Sequence, residues 1–214
     1  MSKTTISIWL SALAVYLLFL GWHENWHGAL TADEIAAFTA RIERNENLDQ
    51  NQRAALIAFM ENDTGKEFVM VNLAAYHKGS VTHPETGADV SPNALLDNYF
   101  RPFMGRLFAR AGYPAFTGQA KGNYLEAWTV GADPGWSGSG LIRYRSRRDM
   151  FLAATDPEFG DIHVYKQAAL AATLAVPIES SVGFYVSPRV WVALLLGLIA
   201  ALAHIFTLTF RRST

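Results

Sequence analysis

Glu67-Phe-Val-Met-Val-Asn-Leu-Ala-Ala75 is the stretch on which the fold turns. Apart from Glu67 and Asn72 it is apolar, and a nearly continuous apolar run of strand length belongs to a strand covered on both faces. Downstream, His77 to Pro92 is rich in Gly, Ser, Thr, His, Pro and Asp, which is loop chemistry. A helix is predicted over Asn93 to Ala111, with Leu95, Tyr99, Phe103 and Leu107 on one stripe and a kink or break at Pro102. Ala115 to Ala120 reads as a strand, Asn123 to Val130 as its extension or a hairpin arm, and Gly131 to Trp136 as a turn. Ser139 to Arg145 alternates as a strand does. Helices are then predicted at Arg147 to Thr155 and Phe159 to Leu174, and a last strand at Pro177 to Tyr185.

The order β-α-β-β-α-β is the split ferredoxin-like pattern of an α+β domain. Upstream, Thr31 with Glu34 forms a capping box ahead of Ile35, Phe38 and Ile42, and Asp49 caps a second helix carrying Leu56, Ile57, Phe59 and Met60. These two helices form a neck over residues 30–65, ahead of a ferredoxin-like domain over 66–186.

Two uncharged apolar runs, Ile6 to Trp22 and Val190 to Phe210, bracket that domain. Each is long enough to cross about 30 Å of hydrocarbon at about 1.5 Å per residue. Transmembrane helices are therefore expected over residues 5–22 and 189–210. A cleaved signal peptide fits the first run less well, because it ends in Gly21-Trp-His-Glu24 rather than at a small-x-small site. Trp22 and Trp26 on one side, and Tyr185 and Trp191 on the other, supply an aromatic belt. Lys3, Arg211 and Arg212 place both termini in the cytoplasm of a bacterial inner membrane, with the domain outside it. A formal net charge of −1 gives no footprint for nucleic acid, and the absence of cysteine excludes disulfides and thiol chemistry.

The runs Phe68-Val-Met-Val-Asn-Leu73, Gly140-Leu-Ile-Arg-Tyr-Arg-Ser146 with Arg148, Thr155-Asp-Pro-Glu-Phe159, Ala168-Ala-Leu170 and Val176-Pro-Ile-Glu179 resemble an uncharacterised bacterial family of dimeric α/β-barrel domains. The resemblance covers about Glu67 to Glu179. It implies two ferredoxin-like protomers pairing their sheets into a barrel, with pockets between sheet and helices. It also places the chain in the broad fold group of the small cofactor-independent monooxygenases.

Candidate pocket residues are Asn72, Tyr99, Arg143, Tyr144 and His163. Asn72 is a lone amide in an apolar strand and must find partners, Arg143 is a carboxylate binder or a solvated edge residue, and His163 is a general base or a surface histidine. Tyr99 falls on an apolar helix stripe. His23-Glu-Asn-Trp-His27 matches H-E-x-x-H, with Glu46 as a third ligand, but Gly28 follows at once and no strand precedes it; the expected reading is interfacial polar residues and no metal site. Within the second span His204 continues the small-residue seam Ala193, Gly197, Ala200, and Ser7 or Ser11 of the first span is expected to bond its imidazole. Ala200-x-x-x-His204 also resembles the pigment-binding histidine of light-harvesting helices.

The functional expectation is a membrane-anchored extracytoplasmic binding or accessory module, as a homodimer or inside a larger membrane complex, with no cofactor. The alternative is an enzyme of the cofactor-independent monooxygenase-like type acting on a small molecule in the barrel pocket. A zinc-binding protein through His23 and His27 is a remote third.

Overall fold

The computed structural model describes residues 2–180 and 187–212. Along the chain run α1 (Lys3–His23), α2 (Ala32–Glu43), α3 (Gln50–Glu61), β1 (Phe68–Tyr76), β2 (Val81–Thr82), β3 (Asp89–Val90), α4 (Pro92–Ala109), β4 (Tyr113–Gln119), β5 (Gly138–Tyr144), α5 (Arg147–Ala154), α6 (Pro157–Ala169), β6 (Leu170–Ile178) and α7 (Pro188–Arg212). They form two compact units, the terminal segments in one and His27–Ser180 in the other.

In the terminal unit α1 and α7 are long and apolar enough to cross a bilayer. Their large side chains face outward, Leu18 at 75% and Leu194 at 66% exposure, the opposite of helices in a water-soluble core. Small side chains line their contact: Ser7, Ser11 and Ala12 face Ala200 and Ala203 across a shallow cleft. His204 does not line that cleft. Among the described residues its imidazole bonds neither serine, and its carbonyl accepts from Thr207 Oγ1 at 2.8 Å. On α7 the cleft is lined by Leu196, Ile199, Ala200 and Ala203, while the expected seam residues Ala193, Gly197 and His204 are half-buried around the buried Ala200. The four lining residues recur at i, i+3, i+4 and i+7, which is one helical face, and a serine hydroxyl and a methyl group pack there closely.

In the domain a four-stranded antiparallel sheet runs β4-β5-β1-β6, the ferredoxin-like order. One face carries the helices. Phe68, Met70 and Tyr76 of β1, with Ile142 and Tyr144 of β5, point into cores built with Phe38, Met60 and Phe151, with Tyr99 and Phe103, and with Leu95 and Ala169. Because side chains alternate along a strand, the intervening residues Val69, Val71, Leu73 and Leu141 point to the other face. Phe116 pairs with Leu141, while Leu174, Val176 and Ile178 pair with Leu73, Val71 and Val69, so they share that face. Among the described residues of this unit no helix packs on it. Phe116, Leu174, Val176 and Ile178 are 46%, 51%, 53% and 46% exposed.

Thr31 forms the expected capping box with Glu34, and Asp49, the expected cap of the second helix, forms a box with Gln52 as well. Pro102 lies inside α4, which continues past it unbroken. Two other expectations are corrected. The last helix stops at Ala169, and the final strand is Leu170–Ile178 rather than Pro177 to Tyr185, whose end lies outside the described residues. Ala and Leu in this segment favour helix, but β1 gains a full antiparallel partner from it, and Pro177 is tolerated because the strand is an edge. Finally, residues 123–130 form no strand. Asp133 accepts the Tyr124 and Gly135 N–H groups, both at 2.8 Å, and folds the β4–β5 connection into a loop that displays Leu125 and Trp128.

An arginine-rich turn, Arg145-Ser-Arg-Arg-Asp149, fastens the neck to the sheet. Ser146 caps α5 by accepting from the Asp149 N–H at 3.1 Å, and Arg145 forks onto the Asp149 carboxylate at 2.7 and 2.8 Å. Arg147 donates to the Phe59 carbonyl at the end of α3 and to Glu179 after β6. Arg148 grips Glu34 and the Ala29 carbonyl at the neck entry.

Candidate functional site

The helix side of the sheet gathers most of the expected pocket residues. Tyr99 projects from α4, 5% exposed, and stacks on Phe103 at 5.3 Å between ring centres. The His163 ring of α6 meets it edge-on at 6.0 Å. Lys166, one turn further along α6, holds its ammonium 5.7 Å from the Tyr99 ring centre, within cation–π range. Tyr144 lies close enough that its charge would oppose the ionisation of Tyr99 further, and itself stacks on Phe68 at 5.2 Å.

Burial sets the protonation states. It pushes both phenols up, Tyr99 with a smaller electrostatic contribution from Tyr144, so both remain neutral hydrogen-bond donors near neutral pH. Burial pushes the Lys166 amine down. It also lowers His163, with the Lys166 charge adding to it, so the imidazole is neutral. The cluster therefore offers a neutral imidazole, two phenols and an ammonium whose burial favours losing its proton. Among the described residues Lys166 faces no carboxylate within ion-pair distance. Such a set can donate hydrogen bonds to, or take a proton from, a small polar molecule.

Asn72 lies on the same face, opposite Gly140, and its amide is spent on backbone: Nδ2 donates to the Met70 and Gly140 carbonyls at 3.0 and 3.2 Å. Arg143 belongs elsewhere. As the neighbour of Tyr144 along β5 it points to the opposite face, where it is 4% exposed, donates to Glu67 and to the Ala111 carbonyl, and lies 5.4 Å from the Tyr113 ring centre. It is a buried structural ion pair rather than a pocket residue.

The H-E-x-x-H run has no helical face to offer a metal. α1 ends at His23, and Glu24 already has extended backbone, φ −91° and ψ 150°. His23 is buried and its Nδ1 shares a hydrogen bond with Glu24 at 2.9 Å, while Arg189 forks onto both Glu24 oxygens. Burial alone would raise the Glu24 carboxyl, but Arg189 and His23 more than reverse that and hold it at about 2. Glu46 is exposed on the α2–α3 loop. Among the described residues no three His, Asp or Glu side chains stand together as a metal site.

Lys166 is the member of the cluster that sequence reasoning missed. The signal was its spacing of three from His163 within the helix predicted over Phe159 to Leu174.

No family model matches the chain, and no curated protein matches it. Two crystal structures of a Rhodopseudomonas palustris protein of unknown function, one of them methylated, are similar. They share 17% and 18% identity, cover 64% and 66% of this chain and 97% and 98% of that one, and give TM-scores of 0.50 and 0.52. A dimeric Bacteroides fragilis protein of unknown function and ferredoxin-like fold matches at 13% identity over 53% of this chain and 96% of that one, with a TM-score of 0.34. At these identities the likeness is one of fold. The chain carries a ferredoxin-like α+β domain similar to uncharacterised proteins, flanked by two long apolar helices.

Proposed function

We propose that this is a two-pass membrane protein whose extracytoplasmic domain acts as a binding or accessory module, pairing with a second copy through its open sheet face. The observation that carries the reading is the uncovered apolar face of Phe116, Leu174, Val176 and Ile178. Contiguous exposed apolar surface of this kind marks an interaction site, and a flat antiparallel face is self-complementary under two-fold symmetry. The basic flanks Lys3, Arg211 and Arg212 support a cytoplasmic side for both termini.

The native chain has no cysteine, so single cysteines report on pairing directly. Leu174→Cys on the open face is expected to give a dimer with a short bifunctional thiol crosslinker in membranes, and Gln167→Cys on the helix side is not. Equal yields from the two would refute the pairing.

A second reading, a small-molecule enzyme, is favoured by Lys166 and His163 beside two neutral phenols. It requires that cluster to open to substrate, and turnover lost in Lys166→Met with the fold intact would support it.

A further inference from the structure

Between α3 and the β6 edge, away from the Tyr99 cluster, lies an open cleft of about 380 Å³. This is the size range of small-molecule sites. Its walls are apolar: Ala55, Ala58 and Phe59 from α3, Phe68 from β1, and Pro177 with Ile178 from β6. The polar lining is Arg147, with Asn62 and Glu179.

Arg147 is built in rather than adventitious. Its side chain is 8% exposed and its guanidinium stacks 4.2 Å from the Phe59 ring centre. Two of its nitrogens donate to the Phe59 carbonyl and to Glu179. Its Nε is buried and makes no hydrogen bond, the Asp63 carboxylate standing 3.4 Å away. A buried donor left short of an acceptor costs stability that a ligand acceptor restores.

Charge selects the ligand class. Arg147 and Lys66 are balanced by Asp63 and Glu179, the Lys66 charge acting on Glu179 together with that of Arg147. An added carboxylate would stand beside two carboxylates, and an added cation beside Arg147. Either would be taken out of water without a free counter-charge.

We propose that this cleft binds a neutral amphiphile, with an apolar body against Phe59, Phe68 and Ile178 and a hydroxyl or carbonyl head hydrogen-bonded to Arg147. The site is separate from the cluster around Tyr99 and shares only Ile178, at its rim, with the open sheet face.

The test uses the full chain in lipid nanodiscs with two photoactivatable probes, a diazirine-bearing octanol and the corresponding diazirine-bearing octanoic acid. Adducts are mapped by mass spectrometry. The expected result is saturable octanol labelling within residues 55–62 and 177–179, competed by 1-octanol. Labelling by the acid is expected to be at least about tenfold weaker at equal concentration. Ala58→Trp, which fills the cleft mouth from an exposed helix position, is expected to abolish the saturable labelling, and Ala55→Leu repeats the test if that variant folds poorly. Non-saturable labelling of α1 and α7 serves as the lipid-exposed reference. Labelling of the cleft that rises linearly with probe, that survives both substitutions, or that is equal for alcohol and acid would overturn the proposal.

Discussion

Removing the Arg147 guanidinium tests how the neck, the sheet and the segment after β6 are held together. In Arg147→Ala, Asp63 loses its cation while its side chain remains only 2% exposed. Breaking a buried ion pair by deleting one partner costs about 3–5 kcal/mol. Asp63 keeps the N–H groups of Leu30 at 2.8 Å and Gly65 at 3.0 Å, which places the loss at the lower end of that range. Glu179, 32% exposed and still hydrogen-bonded by Thr64 at 2.6 Å, recovers water and adds little. Loss of the stacking on Phe59 adds about 0.5–1 kcal/mol. The expected total is about 3–4 kcal/mol. At about 2–4 °C per kcal/mol for a domain of this size, the melting midpoint falls by about 6–16 °C. Circular dichroism on the detergent-solubilised chain reads the shift. The double variant Arg147→Met with Asp63→Asn, which removes both charges, is expected to recover much of it. A single-variant loss under about 1 kcal/mol would mean that Arg147 behaves as a solvated surface charge, and the reasoning would fail.

Three further outcomes are expected. Glu34, held at about 2 chiefly by the Arg148 hydrogen bond against an ordinary value of 4.5, contributes stability that is complete above its unfolded value and is lost as pH falls toward 2. Urea unfolding across that acid window will show the loss, and Glu34→Gln will flatten it; an unchanged slope would count against the Arg148–Glu34 link. Lys166, whose amine burial lowers, makes the fold gain stability as pH rises through its folded pKa toward its unfolded one. Lys166→Met is expected to remove that alkaline gain and to stabilise the domain by about 1 kcal/mol at neutral pH, read by the same unfolding curves. His204→Leu is expected to insert and accumulate in membranes as the native chain does, because no described residue hydrogen-bonds its imidazole; loss of a bound pigment, haem or co-purifying subunit would make it a ligand or a contact instead.

The parts of the fold legible in the sequence are those fixed by short-range chemistry. The apolar run beginning at Phe68 had to be a strand, though only one of its faces is covered by helices, and the Thr31–Glu34 box and the Asp49 cap set helix starts through hydrogen bonds three residues long. What stayed hidden depends on distant partners. Leu170–Ile178 has helix-forming composition and becomes a strand because the β1 edge is available to it. Residues 123–130 have strand-like composition, yet Asp133 captures the Tyr124 N–H from across the loop. The site was half legible for the same reason. Helical spacing brought Tyr99 onto the core stripe, and strand alternation alone separates Arg143 from Tyr144, but the meeting of α4 with α6, which puts Lys166 over Tyr99, is tertiary.

The buried charges of the domain divide along this line. Arg143 faces Glu67, Arg147 faces Asp63 and Glu179, and Arg148 faces Glu34. Each of these pairs joins segments far apart in sequence, so each is accounted for by the architecture it fastens. Among the described residues Lys166 makes no such pair. It is half-buried and holds its ammonium 5.7 Å from the Tyr99 ring centre, where burial lowers the amine and a cation–π attraction of about 0.5–2 kcal/mol opposes that cost. Replacing it with a methionine would fill the same space and remove that cost. An ammonium beside a neutral imidazole and two neutral phenols, with no carboxylate at ion-pair distance among the described residues, is therefore the part of this domain that the ion-pair architecture does not explain. If Lys166→Met is more stable and pairs normally through the sheet face, the helix side of the sheet is where a chemical function separate from assembly has to reside.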